Sequence, residues 1–98
     1  MMTPRRLATF IEKEFLPLLD DTIAQLENIS NDAAPMKEFR KTLAGLYPTL
    51  RKSGALQEPL YIAAIETLNK MRGPLSKAIA PLSPFFQQRF LAAYQKLQ

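Results

Sequence analysis

The chain has 98 residues, which is enough for one domain but too few for a deep active-site cleft beside a full core. It contains no cysteine and no histidine, which excludes disulfides and thiolate nucleophiles and removes the usual zinc ligands. With 47% apolar and 22% charged residues, the sequence predicts a folded protein, and we assign residues 1–98 to a single helical domain.

Apolar residues recur at helical spacing along nearly the whole chain, and no stretch alternates as a half-buried strand would. The four apolar stripes cover residues 4–28, 36–50, 60–79 and 86–97. We expect the second stripe to end at "KSG", where Gly54 can take the left-handed cap conformation. The sequence therefore predicts an all-α fold, an antiparallel four-helix bundle with proline-kinked helices.

Prolines mark the expected helix starts. Four of the eight come where a helix should begin: Pro4, Pro35, Pro59 and Pro84. A proline in the first turn loses no hydrogen bond, because that amide has no partner inside the helix. Thr3 and Ser83 carry side-chain oxygens suited to N-caps. Asn31 or Asp32 can do the same slightly upstream of the second helix.

Three other prolines fall inside predicted helices: Pro17, Pro48 and Pro74. Each removes one backbone hydrogen bond and crowds the carbonyl four residues earlier, so we expect a kink or a break at each. We predict a bend at Pro17, because the apolar stripe continues in phase beyond it. Gly73 precedes Pro74 and also favours leaving a helix, so we expect a true break in the third segment at this pair.

Charge is distributed unevenly along the chain. Residues 1–66 contain all nine acids and eight bases, whereas residues 67–98 contain five bases and no acid. The five are Lys70, Arg72, Lys77, Arg89 and Lys96. Such a segment suits an acidic protein, anionic headgroups or nucleic acid, although a solvated helix face can show the same pattern by chance.

The sequence offers no catalytic constellation. Asp20 and Asp21 are the only adjacent acids, and neighbours on a helix point about 100° apart, so the two carboxylates do not converge on one atom. The serines have no histidine to activate them, and only three glycines are present, too few for a phosphate-cradling loop. We therefore expect no enzyme activity, no catalytic residues, no cofactor and no metal.

The aromatic residues of the last third can belong to the core, to a nucleic-acid-binding surface or to a membrane-binding surface. Phe86, Phe90 and Tyr94 share one stripe and are expected to enter the core. They are not interleaved with the cations as a base-stacking platform would be, so nucleic-acid binding is not expected. The same stripe also fits an interfacial membrane helix, an alternative that we keep. Phe85 lies about 100° from Phe86, and we expect one of the two to stand at the edge of the core.

The stretch "TLAGLYPTLRKSGALQEPL" spaces leucine, tyrosine, leucine and lysine along a helix and continues into a proline-leucine helix start. The residues that carry this pattern are Leu43, Tyr47, Leu50, Lys52, Pro59 and Leu60. The pattern resembles that of the immunity proteins of pediocin-like bacteriocins, the enterocin A immunity family. The stretch "LSPFFQQRFLAAYQKL" is similar in layout to the final helix of the family. A weaker resemblance, through "RKSGALQEPLYIAAIETLN", is to a small lipoprotein assembly factor of photosystem II, which needs an exported N-terminus.

The resemblance implies a cytoplasmic four-helix bundle that protects the producer cell without catalysis. It implies binding to the membrane-embedded mannose phosphotransferase permease once the bacteriocin has engaged it, with peripheral contact to the anionic inner leaflet. Glu12, Lys13 and Glu14 interrupt the first apolar run, so the N-terminus does not read as a signal peptide. We expect a monomer.

Charge and aromatic placement together give a candidate partner-binding surface. Its residues are Lys70, Arg72, Lys77, Phe85, Arg89 and Lys96. The alternative function is a non-enzymatic helical adaptor or regulatory protein that binds an acidic partner or an anionic surface through this basic C-terminal third.

Overall fold

The structure is a computed structural model that describes residues 3–52 and 57–96. The chain begins with α1 (Pro4–Phe10), a π-helical turn (Ile11–Phe15) and α2 (Leu16–Asn28), which follow one another with right-handed helical dihedral angles at both junctions. We call these three segments arm 1. Three further helices follow: α3 (Ala34–Lys52), α4 (Gln57–Ile79) and α5 (Pro84–Gln95).

Contacts between helices establish an antiparallel arrangement. Lys37, near the start of α3, pairs with Glu27 at the end of arm 1, whereas Arg51, near the end of α3, pairs with Glu12. Arm 1 packs against α3 along its length and also contacts α4 and α5, and α4 packs against both α3 and α5. The prediction of an all-α four-helix bundle is confirmed.

Helices begin at Pro4 and Pro84 as expected, whereas α3 begins one residue before Pro35 and α4 two residues before Pro59, and the caps also differ. The Thr3 hydroxyl accepts a hydrogen bond from the Arg6 amide at 3.2 Å, and Asp32 Oδ1 accepts one from the Ala34 amide at 2.9 Å. Ser83 occupies the N-cap position of α5, but its side chain makes no capping bond. The Ser83 carbonyl accepts from the Phe86 amide instead, so the prediction of a side-chain cap there was wrong.

Arm 1 ends in a backbone cap that the sequence did not indicate. Ser30 has a φ of 58°, in the left-handed region, and its amide donates to the Glu27 carbonyl. The Asn31 amide donates to the Leu26 carbonyl at 2.8 Å. These two bonds form a Schellman motif, in which a serine occupies the position that usually holds glycine. The predicted cap residue Gly54, after α3, lies outside the described residues.

None of the three internal prolines ends its helix. The predicted break at Gly73 and Pro74 was wrong, because α4 runs without interruption from Gln57 to Ile79. Gly73 and Pro74 are exposed, whereas Met71 and Leu75 on either side are buried in the core. Packing of these two flanking residues holds the helix across the hydrogen bond that the proline removes.

The π-helical turn explains how Pro17 is accommodated in arm 1. The Leu16 amide bonds to the Ile11 carbonyl, five residues earlier, directly before the exposed Pro17. Core residues of arm 1 recur every four positions and are fully buried: Leu7, Ile11, Phe15 and Leu19. Four residues of an α-helix rotate by about 40° more than one full turn, so residues spaced by four drift around the helix. A π turn holds more residues than an α turn, so it offsets this drift and keeps the four on one face.

Phe15 is the centre of the contacts that hold α5. Its ring meets those of Phe90 and Tyr94 edge to face, with centroid separations of 6.2 and 5.6 Å. The Tyr94 hydroxyl donates to the Leu68 carbonyl of α4 at 2.8 Å. Phe15 is fully buried, and Phe90 and Tyr94 are each only 4% exposed. Three aromatic side chains thus tie α5 to both arm 1 and α4.

We predict that Phe15→Ala lowers the free energy of unfolding by about 3–5 kcal/mol, because it removes a buried ring and leaves a cavity at the meeting point of three helices. Urea denaturation followed by circular dichroism measures this. Phe85→Ala is the matched control, since Phe85 is 65% exposed, and it is expected to change stability by no more than about 0.5 kcal/mol. Equal losses in the two variants would contradict the packing described for Phe15.

We predict that Gly45→Ala raises the free energy of unfolding by about 0.5–1 kcal/mol, because glycine is unfavourable inside a helix. Beyond the chain neighbours and the backbone of α3 itself, a Cβ added at Gly45 would meet no atom within 4 Å. Gly73→Ala in α4 should gain less, because the ring of Pro74 crowds the Cβ of the residue before it. Urea denaturation measures both variants, and a loss of stability in Gly45→Ala would contradict a helical backbone at this residue.

Candidate partner-binding surface

Ion pairs between the described residues follow one rule. Each joins an acid of arm 1 to a base of α3 or α5: Glu12 to Arg51, Glu14 to Lys96, Asp20 to Arg40, Asp21 to Arg89 and Glu27 to Lys37. The α3 pairs lie on one side of arm 1 and the α5 pairs on the other. Within the described part of the chain, α4 contributes to none of these pairs, so its charges remain available to solvent or to a partner.

Two residues of the predicted surface form ion pairs with arm 1. The Arg89 guanidinium lies 3.1 Å from an Asp21 carboxylate oxygen, and Lys96 pairs with Glu14. Arg89 and Lys96 are seven residues apart, so both project from the side of α5 that faces arm 1. The acid-free last third is therefore not a separate electrostatic region, because arm 1 supplies carboxylates to two of its five cations.

Phe85 stands apart from the core, as the sequence predicted for one of the two adjacent phenylalanines. It is 65% exposed, and its ring meets that of the half-buried Phe86 edge to face at 5.5 Å. The Arg89 guanidinium lies 5.7 Å from the centroid of each ring, within the range of a cation–π interaction. Arg89 therefore orders Phe85 while most of that ring stays open to solvent.

Lys70 and Lys77 form a common exposed face on α4. They lie seven residues apart, close to two full helical turns, and both are exposed. The buried residues Leu68 and Leu75 mark the opposite side of the helix. Glu66, one turn before Lys70, lies on the same face but forms no ion pair among the described residues. The face is thus positive towards the C-terminal end of α4, and we call Lys70 and Lys77 the outer face.

Arg72 belongs to a different feature, a groove between α4 and α5 with a volume of about 350 Å³. It projects towards α5, and its guanidinium lies 5.4 Å from the centroid of the Tyr94 ring. Burial raises the pKa of the Tyr94 phenol well above its ordinary value, and the nearby Arg72 offsets this only in part. The Tyr94 hydroxyl therefore remains a hydrogen-bond donor to α4, and its ring provides one wall of the groove.

The six predicted residues therefore divide into three groups. Lys70 and Lys77 share the outer face of α4, Arg72 lines the groove, and the other three lie on α5. The sequence analysis missed the groove and the acids that pair with Arg89 and Lys96. The sequence did contain one signal for the groove, since Leu91 is an apolar residue outside the core stripe of α5. The structure leaves it 44% exposed. The ion pairs join residues 68 and 82 positions apart, which no local pattern indicates.

The described residues show neither a metal centre nor a membrane span. In residues 3–52 and 57–96, no three acidic side chains lie close enough together to hold a metal ion. None of the helices in those ranges combines the length and the apolar content that crossing a bilayer requires. The polar side-chain atoms buried in the same ranges all have hydrogen-bond partners.

Comparison with known proteins adds no relative. No protein-family model matches the chain, and no curated protein and no solved structure is significantly similar to it.

We predict that Glu12→Gln destabilises the protein near neutral pH and that the difference from wild type disappears in acid. A hydrogen bond from Arg51, together with its positive charge, lowers the pKa of Glu12 below its ordinary value in the folded state. A lowered folded-state pKa adds stability above the unfolded-state pKa, and this stability is lost as pH falls through the lowered value. Urea unfolding at a series of pH values measures the effect.

Glu38→Gln is the control for this experiment. Glu38 is an exposed carboxylate of α3 that takes part in none of the five ion pairs. Its removal should leave the dependence of stability on pH close to that of the wild type. A constant gap between Glu12→Gln and wild type across the whole range would mean that the Glu12–Arg51 pair does not contribute through its charge.

Proposed function

We propose that the protein is a bacteriocin immunity protein that acts by binding and not by catalysis, and that the outer face of α4 is its principal contact. The observation that carries this proposal is the distribution of ion pairs. Five carboxylates of arm 1 pair with bases from α3 and the last helix, whereas Lys70 and Lys77, which share one exposed face of α4, have no carboxylate partner among the described residues. Because these cations form no ion pair, an acidic partner can bind them without first breaking one.

The partner in this proposal is the mannose phosphotransferase permease with bound bacteriocin, as the family resemblance implies. The outer face would meet an acidic surface of the permease or the anionic headgroups beside it. Attraction of this kind acts over about 8–10 Å at physiological salt and steers the encounter. Phe85 supplies the apolar component, because an exposed aromatic ring held by a neighbouring arginine loses little conformational entropy when it is buried.

A helical adaptor that binds a soluble acidic protein is the second candidate. The groove between α4 and α5 favours this candidate, because a groove can accept the side chains of a protein partner. A lipid surface has no side chains to place there. Both candidates use residues of α4 for the contact. They differ in whether binding protects a cell against a bacteriocin.

Expression of the protein in a strain sensitive to pediocin-like peptides tests the proposal. We expect survival at peptide concentrations that kill cells without it. The variant Lys70→Glu/Lys77→Glu is expected to lose this protection, because it reverses both charges of the outer face without touching the core. Growth inhibition in liquid culture measures the effect, and circular dichroism verifies that both proteins are equally helical.

The matched control is Lys41→Glu/Lys52→Glu, which reverses two exposed charges on α3 and should leave protection intact. Full protection by the α4 variant would exclude the outer face as the contact. Absence of protection by the wild-type protein against every peptide tested would rule out the immunity function and leave the adaptor.

A further inference from the structure

The groove between α4 and α5 has an apolar floor and polar edges. Leu75 and Ile79 of α4 and Phe90 of α5 form the floor, and each is no more than 5% exposed. Arg72 and Ser76 stand on the α4 side, and Leu91 stands on the α5 side, 44% exposed. With a volume of about 350 Å³, the groove has room for one or two large side chains of a partner.

The electrostatic surroundings of the groove have one sign. Arg72 is the only charged residue that lines it, and residues 67–98, which include its whole lining, contain no acid. Lys77 lies five residues beyond Arg72 on α4, about 140° around the helix, so it belongs to the outer face and not to the groove. Glu14 and Asp21 of arm 1 are paired with Lys96 and Arg89 on the opposite side of α5. A partner entering the groove therefore meets one positive charge and no acidic lining residue.

We infer that the groove binds an acidic amphipathic helix, which places a leucine or phenylalanine against Leu75, Ile79 and Phe90 and a carboxylate beside Arg72. Apolar side chains at i, i+3 and i+4 on one face suit a groove between two helices. An arginine at its edge can hold a carboxylate through two parallel hydrogen bonds. This inference deepens the proposed function and rests on it for the biological partner, but it concerns a surface separate from the outer face.

The probe is a fluorescein-labelled peptide of about 18 residues with leucine at positions of one helical face and glutamate elsewhere. Fluorescence anisotropy measures its binding to the full protein. We expect the acidic peptide to bind and a counterpart with lysine in place of glutamate to bind at least about tenfold more weakly. Failure of the acidic peptide to bind, or equal binding by the basic one, overturns the inference.

Two variants localise the binding. Leu91→Gln removes the apolar edge and Arg72→Glu reverses the charge, and each should weaken binding by about tenfold or more. Their matched controls are Ile29→Gln, which alters an apolar residue that is 50% exposed at the end of arm 1, and Lys52→Glu on α3. Both controls should bind within about twofold of wild type. Wild-type affinity in Leu91→Gln, or an equal loss in Ile29→Gln, overturns the inference.

Nuclear magnetic resonance of the wild-type protein tests the binding site without depending on whether the variants fold. Amide chemical shifts should change at Ser76, Gln88 and Leu91 on addition of the acidic peptide, and changes confined to Lys70 and Lys77 would overturn the inference. The protection assay separates this outcome from failure of the proposed function. Peptide binding at the groove without protection rejects immunity alone, whereas protection that Leu91→Gln leaves intact, together with no peptide binding, rejects the groove alone.

Discussion

The packing of Phe15 determines where α5 can lie. Its ring is fully buried and meets Phe90 and Tyr94 of α5, and Tyr94 reaches across to the Leu68 carbonyl of α4. Because the π-helical turn keeps Phe15 in line with the other core residues of arm 1, the position of the last helix depends on an irregularity in the first. One wall of the groove follows from this contact, because Phe15 positions α5.

The same arrangement determines which charged residues form ion pairs and which do not. Arm 1 lies between α3 and α5 and supplies every carboxylate of the ion pairs described, with Arg51 on one side and Arg89 on the other among its partners. Exposed pairs of this kind contribute little to stability individually. Their effect on the surface is larger, because they neutralise Arg89 and Lys96 along arm 1, while Lys70, Arg72 and Lys77 of α4 have no carboxylate partner among the described residues.

The sequence was sufficient for what depends on spacing along the chain and insufficient for what depends on contacts between distant residues. Apolar periodicity and first-turn prolines located the helices, and the 100° offset between Phe85 and Phe86 predicted that one of them would be exposed. The rule that proline and glycine end a helix failed at Gly73, because burial of Met71 and Leu75 outweighs a local preference. The pairing of Arg89 with Asp21 needs the fold, since 68 positions separate them.

The proline in α4 also affects how the protein opens. Pro74 has no amide hydrogen, so the Lys70 carbonyl lacks its helical donor, and the C-terminal part of α4 is joined to the rest by one backbone bond fewer. That part packs with α5 around the groove. Fluctuations that separate these two elements from arm 1 and α3 cost less than global unfolding, so their amide hydrogens should exchange with solvent sooner. The groove therefore lies where we expect local opening to precede global unfolding.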